Sequence, residues 1–340
     1  MLKQKKNVAL LSGGAGAEHD ISVLSARRIK ELIDGEKFNT LPLLIGKDGA
    51  LYILQAGAYL PVQVKKQGRR PRLSFGDREM LVDCALPVLH GDMGEDGRVQ
   101  GALECLSVPY VGEGVTSGAL CADKFLTKAV AAHLGIPCPA FALIPSDISD
   151  EDAARMVEER VGYPMILKPA CLGSSVGIEV VKDPSLLLSA IGRVRAHCRG
   201  RAIAEEYLEN KRELEVAYLG IDGKQTVTPP AEVLVGGFYS YDKKYGGQGA
   251  AVDMHPELEP QVEDAIYRSV LDLVKGIGIC KIARFDFFLC NGSLLFNEIN
   301  TMPGFTEGSL YPRMLSRAGI DPKYAITRLI EEAISDAGHL

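Results

Sequence analysis

Residues 283–289, ARFDFFL, alternate between apolar and polar side chains in the manner of a β-strand. Successive side chains of a strand point to opposite faces, so every second residue lies on the same side. One face of this strand carries Arg284 and Asp286. The opposite face is apolar and consists of Ala283, Phe285, Phe287 and Leu289. The pattern therefore predicts a strand with one face in a core and one charged face.

The next segment, LLFNEIN at 294–300, behaves similarly and places Glu298 and Asn300 on one face. If the two strands pair, Asp286, Glu298 and Asn300 converge as three oxygen ligands. Such oxygens suit Mg²⁺, which binds a few carboxylates together with phosphate oxygens. Arg284, on the same face, would contact the phosphate that binds with the metal. The alternative is a polar strand face in water, but adjacent carboxylates are costly without a cation, and this favours a metal site.

A glycine-rich loop, KPACLGSSVG at 168–177, joins two apolar segments. It is not a Walker A loop, which needs Gly-Lys-Ser/Thr at the start of a helix. The stretch GSSVG at 173–177 can fold over phosphates, because its backbone N–H groups and hydroxyls donate hydrogen bonds and glycine lets the chain come close. Lys168 would add a positive charge. A plain turn without a ligand is the alternative.

A second glycine-rich segment, GAGAEH at 14–19, lies where alternating strands and helices predict a parallel α/β sheet. It nearly matches the dinucleotide-binding pattern G-x-G-x-x-G. His19 replaces the third glycine, and Asp34 ends a helix instead of a strand, so an oxidoreductase is disfavoured. The segment is then either a plain strand–helix turn or a helix start that points Glu18 at a cleft.

A third segment, HGDMGEDGRVQG at 90–101, is dense in charge and glycine. An EF-hand that begins at Asp92 needs a glutamate at its twelfth position, which is Leu103, so that motif fails. Ligands of parallel sheets bind beyond the carboxyl ends of the strands. A loop that faces a ligand is therefore favoured over a solvated turn.

The composition excludes several classes of protein. The 340 residues include 38 Lys and Arg against 44 Asp and Glu, a net charge of −6, which argues against nucleic-acid or anionic-membrane partners. No apolar run approaches the ~20 residues of a membrane span, and Val8–Leu11 is too short for a signal peptide, so we expect a cytoplasmic protein. The eight cysteines form no C-x-x-C pair and indicate free thiols in a reducing compartment.

Hydrophobic periodicity predicts an alternation of strands and helices along the whole chain. A proline-rich stretch at 134–145 suggests a change of domain, and residues 228–249, rich in Gly, Pro and Tyr, resemble a long functional loop. The predicted strands are 7–12, 39–46, 82–90, 164–170, 178–182, 201–207, 214–220, 282–289 and 293–300. The predicted helices are 21–32, 122–134, 259–276 and 321–337.

Taken together and in this order, these segments resemble the D-alanine–D-alanine ligases of the ATP-grasp superfamily. The resemblance runs along nearly the whole chain. The two most specific motifs are HGDMGEDGRVQG and NEINTMPGFTEGSLYP, at 90–101 and 297–312. The others are GGAGAEHDIS (13–22), CADK (121–124), LKPACLGSSVGI (167–178), RELEVAYLG (212–220), FYSYDKKY (238–245) and RFDFF (284–288).

The resemblance implies an N-terminal parallel α/β domain followed by a two-part ATP-grasp fold, α/β and α+β in class. The expected limits are 1–121 for the N-terminal domain, 122–209 for the central subdomain and 210–340 for the C-terminal subdomain. A mobile lid is expected at about 236–255. The implied reaction joins two D-alanines and splits ATP to ADP and phosphate, with two Mg²⁺ for which Mn²⁺ can substitute. A homodimer with small-molecule substrates, and no nucleic-acid or membrane partner, is also implied.

Residue roles follow from the same motifs. ATP is expected to contact Lys124 and Lys168, the phosphate clasp Ser174 and Ser175, the adenine-binding Glu205 and Leu208, and the ribose-binding Glu213. The metal ligands are expected to be Asp286, Glu298 and Asn300. Glu18 is expected to hold the ammonium of the first substrate, with His90 in the substrate pocket and Ser309 and Leu310 around the second substrate. Arg284 and the Gly304 N–H would stabilise the oxyanion, and Tyr239, Lys244 and Tyr245 would close the lid, with Lys244 on the γ-phosphate and Tyr245 near the first substrate.

The chain departs from the family pattern at a few positions. Gly16 stands where the family usually has Ser, and Glu206 where some members have Lys beside the adenine. The lid continues as Gly-Gly-Gln-Gly at 246–249, which adds flexibility. None of these changes removes a residue with an expected chemical role.

Two alternatives to D-alanyl-D-alanine synthesis stay open. A relative that uses D-serine or D-lactate as second substrate, as in vancomycin resistance, is favoured by EHDISV at 18–23. The Lys244-Tyr245 pair and Leu310, where many resistance ligases have Arg, oppose it. An inactive paralogue or a binding protein would lack some of the expected metal ligands or phosphate-binding residues. In this chain those residues are all present.

Overall fold

A computed structural model describes residues 4–55, 57–67, 70–173, 177–198, 201–234, 251–306 and 308–336 of the chain. Four β-sheets and their covering helices account for these residues. None of the helices described is both long enough and apolar enough to cross a membrane.

The N-terminal sheet is parallel at its centre and antiparallel at one edge. Strands in this part of the chain are β1 (Lys6–Gly13), β2 (Phe38–Ile45), β3 (Leu51–Gln55), β4 (Ala58–Pro61), β5 (Gln63–Gln67), β6 (Arg70–Phe75), β7 (Arg78–Leu81) and β8 (Cys84–Pro87). The sheet order is β4–β3–β2–β1–β8, and β5–β6–β7 form a separate small sheet. The predicted parallel pairing is confirmed for β1 with β2 and with β8. β3 and β4 add antiparallel strands, because the short links between them allow hairpins but no crossover.

Two helices cover the N-terminal sheet. They are α1 (His19–Leu32) and α2 (Arg98–Cys105). α1 buries Ala26 and Ile29 against the core that contains Val8 and Leu10 of β1. The other face of the sheet packs around α2, whose Val99 joins a second core. Both loops that the sequence singled out, after β1 and after β8, therefore lie at the carboxyl ends of parallel strands.

The central sheet is antiparallel, with helices on one side. The elements here are α3 (Val115–Ala122), α4 (Lys124–His133), β9 (Phe141–Ile144), α5 (Asp150–Arg160), β10 (Met165–Pro169), β11 (Glu179–Val181), α6 (Leu187–His197) and β12 (Ala202–Glu206). The order is β11–β10–β12–β9. α5 and α6 bury Val157 and Ile191 against Met165 and Leu167 of β10. This core contains residues of the central part alone.

The C-terminal sheet is also antiparallel. Its elements are β13 (Arg212–Ile221), β14 (Lys224–Val227), β15 (Ala231–Leu234), β16 (Ala251–Asp253), α7 (Pro260–Ile277), β17 (Ile282–Cys290), β18 (Ser293–Asn300), α8 (Leu310–Arg317) and α9 (Pro322–Asp336). The order is β16–β15–β13–β17–β18, with β14 paired to β13. α7 packs Val270 and Leu273 against Phe285 and Phe287 of β17.

The last two helices leave the C-terminal sheet and complete the N-terminal core. Met314 of α8 and Ile330 of α9 are fully buried in the same cluster as Val8 and Leu86. α9 contacts α1, β8 and β13. The two ends of the chain thus share one hydrophobic core. α4, in turn, contacts both β9 and β18, so it lies between the central and C-terminal sheets.

Candidate active site

The two strands that carry the predicted metal ligands pair as expected. β17 and β18 are antiparallel, with Asp286 opposite Glu298 and Arg284 opposite Asn300. Directly opposed residues lie on the same face of a sheet, so these four side chains share one face. The prediction that Asp286, Glu298 and Asn300 converge is therefore supported by the register.

A β-bulge at Asn297 lies beside this polar face and lets Phe296 enter the core. Phe287 opposes Phe296, and the register shifts between Asp286 and Phe287, so Asn297 is the extra residue. Strict alternation would put Phe296 on the same face as Glu298, but the bulge turns Phe296 into the core, where it is fully buried. Bulges are common beside active sites for this reason.

Arg284 lies between two carboxylates on neighbouring strands. Its Nε and an Nη donate to the two oxygens of Asp286 at 2.8 and 2.7 Å, and Nε lies 3.1 Å from Glu215 of β13. Burial opposes its charge, but Asp286 and Glu215 together raise the pKa of Arg284 well above its ordinary value. Arg284 is thus a fixed, permanent cation. Sequence reasoning assigned Glu215 no role, although it lies within the RELEVAYLG motif.

The three predicted metal ligands offer a donor set that fits Mg²⁺. Both Asp286 oxygens accept from Arg284, and Asn300 Oδ1 accepts from the Met302 N–H at 3.0 Å, but each oxygen keeps a second lone pair. The Glu298 side chain is 35% exposed. Within the described ranges, no group of three or more His, Cys, Asp or Glu is placed to hold a metal ion. A cation here would therefore depend on the Asn300 amide and on oxygens of a bound ligand.

A second charged group joins α4 to the central sheet. Glu205, on β12, is almost fully buried, with Lys168 Nζ 3.0 Å from its Oε2 and Lys128 Nζ 3.6 Å from its Oε1. Burial acts to raise the pKa of Glu205, but Lys128 and Lys168 outweigh it, so the pKa is lowered and Glu205 is ionised. The sequence predicted Lys168 and Glu205 but missed Lys128. The sequence feature that could have identified Lys128 is its position one helical turn after Lys124.

Lys124 begins α4 and reaches two other parts of the chain. Its Nζ donates to the Leu172 carbonyl at 2.8 Å and lies 3.7 Å from Glu298 Oε2. Asp123 caps the helix by accepting from the Leu126 N–H at 3.0 Å, and it also pairs with Arg201. Lys124 therefore connects the loop after β10 with the polar face of β18.

The two remaining nucleotide residues lie on either side of the junction between the sheets. Leu208 follows β12 and is buried. Glu213 belongs to β13 and pairs with Lys211, whose Nζ is 3.2 Å from Glu213 Oε1. Their roles with adenine and ribose stay predictions.

Glu18 lies where three segments meet. It precedes α1, and its carboxylate is so close to Gly91 that a Cβ built there would lie 1.9 Å from Oε2. A Cβ on Gly173 would lie 3.7 Å from the same oxygen. Glycine at 91, where φ is +69°, lets the loop after β8 pass beside this carboxylate. The Glu18 side chain therefore lies close to the loop after β10, as its expected role in substrate binding requires.

His90 is buried and hydrogen-bonded on both sides. Nδ1 lies 3.1 Å from the Met302 carbonyl oxygen and Nε2 lies 2.8 Å from Ser25 Oγ. A carbonyl can only accept, so Nδ1 carries a proton, whereas the Ser25 hydroxyl can donate to Nε2 or accept from it. His90 therefore ties α1 to the segment after β18. Its predicted place in the substrate pocket is not tested by these contacts.

The segment that follows β18 brings Gly304 against Ser309. Ser309 Oγ is 2.8 Å from Thr306 Oγ1, and a Cβ on Gly304 would lie 2.9 Å from Ser309 Oγ. Ser309 and the partly buried Leu310 stand at the start of α8. Five predicted site residues lie outside the described residues: Ser174, Ser175, Tyr239, Lys244 and Tyr245.

Comparisons with known proteins agree along the whole chain. Family models for the D-ala D-ala ligase N-terminus and C-terminus match residues 7–113 and 130–331. A D-alanine–D-alanine ligase of Deinococcus radiodurans is 36% identical over 98% of this chain and 99% of its own. The solved D-alanine–D-alanine ligase from Coxiella burnetii is 29% identical, with a TM-score of 0.87 over 99% of this chain and 96% of that one. VanG D-Ala:D-Ser ligase from Enterococcus faecalis is 30% identical, with a TM-score of 0.85 over 97% and 100% of the two chains.

Helix α4, which carries lysines, lies between the two antiparallel sheets, and a strand pair that carries carboxylates lies beside it. This arrangement defines an enzyme of the ATP-grasp class. Within that class, the chain belongs to the D-alanine–D-alanine ligase family. The resemblance inferred from the motifs is thereby confirmed, and the oxidoreductase alternative is set aside.

Proposed function

We propose that this chain joins two D-alanine molecules to D-alanyl-D-alanine, with ATP split to ADP and phosphate. One observation carries the proposal: an unbroken series of contacts links Glu18 to Glu298. Glu18 lies beside Gly173, the Leu172 carbonyl accepts from Lys124, and Lys124 faces Glu298. The carboxylate expected to hold a substrate ammonium and the carboxylate expected to hold a metal are therefore connected through the loop after β10, which supports the proposal.

In the proposed first step, a carboxylate oxygen of D-alanine attacks the γ-phosphorus of ATP, and ADP leaves. The product is an acyl phosphate, which is a better electrophile than a carboxylate. Phosphoryl transfer needs positioning and charge neutralisation. Lys124 and Lys168 line the cleft with cations for the phosphates, and Arg284 adds one that cannot lose its proton. Asp286, Glu298 and Asn300 would hold Mg²⁺, which supplies further neutralisation of the triphosphate.

In the proposed second step, the amine of another D-alanine attacks the acyl carbon, and phosphate leaves after the tetrahedral intermediate. The negative oxygen of that intermediate needs donors that are already in place. Arg284 is held rigidly by Asp286 and Glu215, and we assign it this role together with the N–H of Gly304.

We further propose that Tyr239, Lys244 and Tyr245 close over the reactants, with Ser174 and Ser175 on the phosphates. Exclusion of water would protect the acyl phosphate from hydrolysis. A cytoplasmic homodimer that supplies the dipeptide for peptidoglycan precursors is part of the same proposal. The 30% identity to VanG D-Ala:D-Ser ligase keeps a second substrate other than D-alanine as the competing possibility.

The mass of the product tests the proposal. The protein is incubated with ATP, Mg²⁺ and D-alanine, alone and with D-serine or D-lactate, while phosphate release is followed. D-Alanyl-D-alanine as the main product is the expected result. A mixed dipeptide or a depsipeptide would keep the mechanism but contradict the second substrate, and no phosphate release with any of the three would contradict the proposal.

A further inference from the structure

Lys128 is a charged side chain in an unusual place. It is 0% exposed, whereas lysine is almost never fully buried unless it is paired. It follows Lys124 by four residues on α4, so the two lysines lie on the same side of the helix, one turn apart. The proposed mechanism uses Lys124 and makes no use of Lys128.

Both lysines bridge the same two parts of the chain. The Lys128 ammonium is 3.6 Å from Glu205 on β12 of the central sheet and donates to the Phe296 carbonyl on β18 at 3.3 Å. Lys124, one turn earlier, connects Leu172 with Glu298 in the same way. α4 thus fastens the central sheet to the strand that carries the predicted metal ligands. Of the two lysines, Lys128 is the more deeply buried.

The charges around Glu205 give Lys128 a second effect. The carboxylate of Glu205 faces two lysine side chains, with Lys168 on one oxygen and Lys128 on the other. Burial lowers the pKa of Lys128, and the negative charge of Glu205 opposes this effect. Lys168 keeps 11% of its side chain exposed, whereas Lys128 is closed off. Of these two lysines, only Lys168 is therefore accessible to a bound anion. Without Lys128, Glu205 would offset more of the charge of Lys168.

We propose that Lys128 is a positioning residue for the nucleotide: its ammonium lies 3.6 Å from Glu205 on the buried side, offsets part of the charge of that carboxylate, and so leaves Lys168 with more attraction for the phosphates. This inference rests on the proposed function, because it takes ATP as the ligand of Lys168. It assigns a role to a residue that touches neither substrate nor nucleotide.

The first test is Lys128→Met in the full chain, which keeps the length of the side chain and removes its charge. ATP affinity, measured by calorimetry with the unreacted nucleotide, should fall about 10- to 100-fold, the loss expected for one charge-assisted contact. The KM for D-alanine should stay within about twofold. The exposed Lys275→Met on α7 is the matched control and should change neither value. An unchanged ATP affinity in folded Lys128→Met would overturn the inference.

The second test separates this role from a merely structural one. Lys128→Met is repeated in a Glu205→Gln background, where no negative charge remains at position 205 to offset Lys168, so the double variant should bind ATP as tightly as Glu205→Gln alone. The comparison also cancels the adenine contact expected of Glu205. Losses that add would contradict the inference. If Lys128→Met alone does not fold, the comparison of the double variant with Glu205→Gln still tests the inference, since Glu205 no longer carries an unpaired buried charge. Wild-type protein that binds ATP but makes no dipeptide would refute the proposed function and leave this inference intact.

Discussion

At the scale of single residues, Glu298 is more exposed than Asp286, the other predicted metal carboxylate, and lies 3.7 Å from the ammonium of Lys124. Its partner across the strand pair, Asp286, is already held by Arg284. Glu298 is therefore the carboxylate that is more accessible to a bound metal.

We expect Glu298→Gln to lower turnover at least about 100-fold, because a neutral amide is a poor ligand for Mg²⁺ and the metal stabilises transition-state charge. The thermal midpoint should be unchanged, since the side chain is partly exposed. Phosphate release at increasing Mg²⁺ concentration measures the effect, with the exposed Glu209→Gln as control. Wild-type turnover in Glu298→Gln would refute the magnesium assignment.

Glu113 is a buried carboxylate that forms hydrogen bonds with the backbone at the start of β17. Its two oxygens accept from three successive backbone N–H groups, those of Cys280, Lys281 and Ile282, at 2.7–2.8 Å. Burial raises the pKa of Glu113 above its ordinary value of 4.5, and the three amide donors offset only part of this effect. A group with a raised pKa contributes stability below its ordinary pKa and loses it as the pH rises through the folded value.

Replacement of Glu113 by Gln removes the ionisable carboxyl group and with it this pH dependence of stability. The free energy of unfolding of wild type minus that of Glu113→Gln should therefore be largest near pH 4 and decline as the pH rises toward 7. Chemical denaturation at several pH values measures the difference. A difference that grows with pH would mean that the amide donors outweigh burial and that the pKa is lowered instead.

At the scale of elements, the turn from β1 into α1 depends on two glycines with different surroundings. Gly13 has φ +91°, and a Cβ there would lie 2.3 Å from the Ile45 carbonyl oxygen, which belongs to the neighbouring strand. Gly14 has φ +105°, and a Cβ there would meet nothing within 4 Å. The first glycine is required by space and by backbone conformation, the second by backbone conformation alone.

Gly14→Ala should therefore cost about 1–2 kcal/mol, the price of a left-handed residue with a side chain. Gly13→Ala should cost that amount plus about 1–3 kcal/mol for the clash with β2. Urea denaturation of the pair checks the order. Equal losses would show that β2 moves away freely.

The sequence predicted elements best where burial imposes a clear period. β17 and β18 were predicted with nearly their observed limits because one face is core and the other is charged. β4 was missed since three of its four residues are exposed and no apolar alternation marks it. The bulge at Asn297 leaves no pattern of its own. Lys128 has the sequence context of a surface lysine, and its burial is set by Glu205 and Phe296, which lie 77 and 168 residues away.

At the scale of the whole molecule, the N-terminal core is shared with the last two helices, whereas the central core is self-contained. Ile330→Ala and Ile191→Ala remove the same side chain at fully buried positions in these two clusters. Each should cost about 2–5 kcal/mol. Hydrogen exchange should separate them: Ile330→Ala should weaken amide protection in β1 and β8, and Ile191→Ala only in the central sheet. Loss of protection confined to α9 would contradict the shared core.

The order in which the chain leaves the ribosome gives this shared core a further consequence. Strands β1 and β8 are made well before their apolar partners on α9, which follow the central and C-terminal sheets along the chain. At a synthesis rate of about 5–20 residues per second, roughly 10–50 s pass between them. Throughout that time the part of the nascent N-terminal sheet that α9 covers in the folded protein stays exposed, so newly made chains offer a binding surface to chaperones that finished molecules do not.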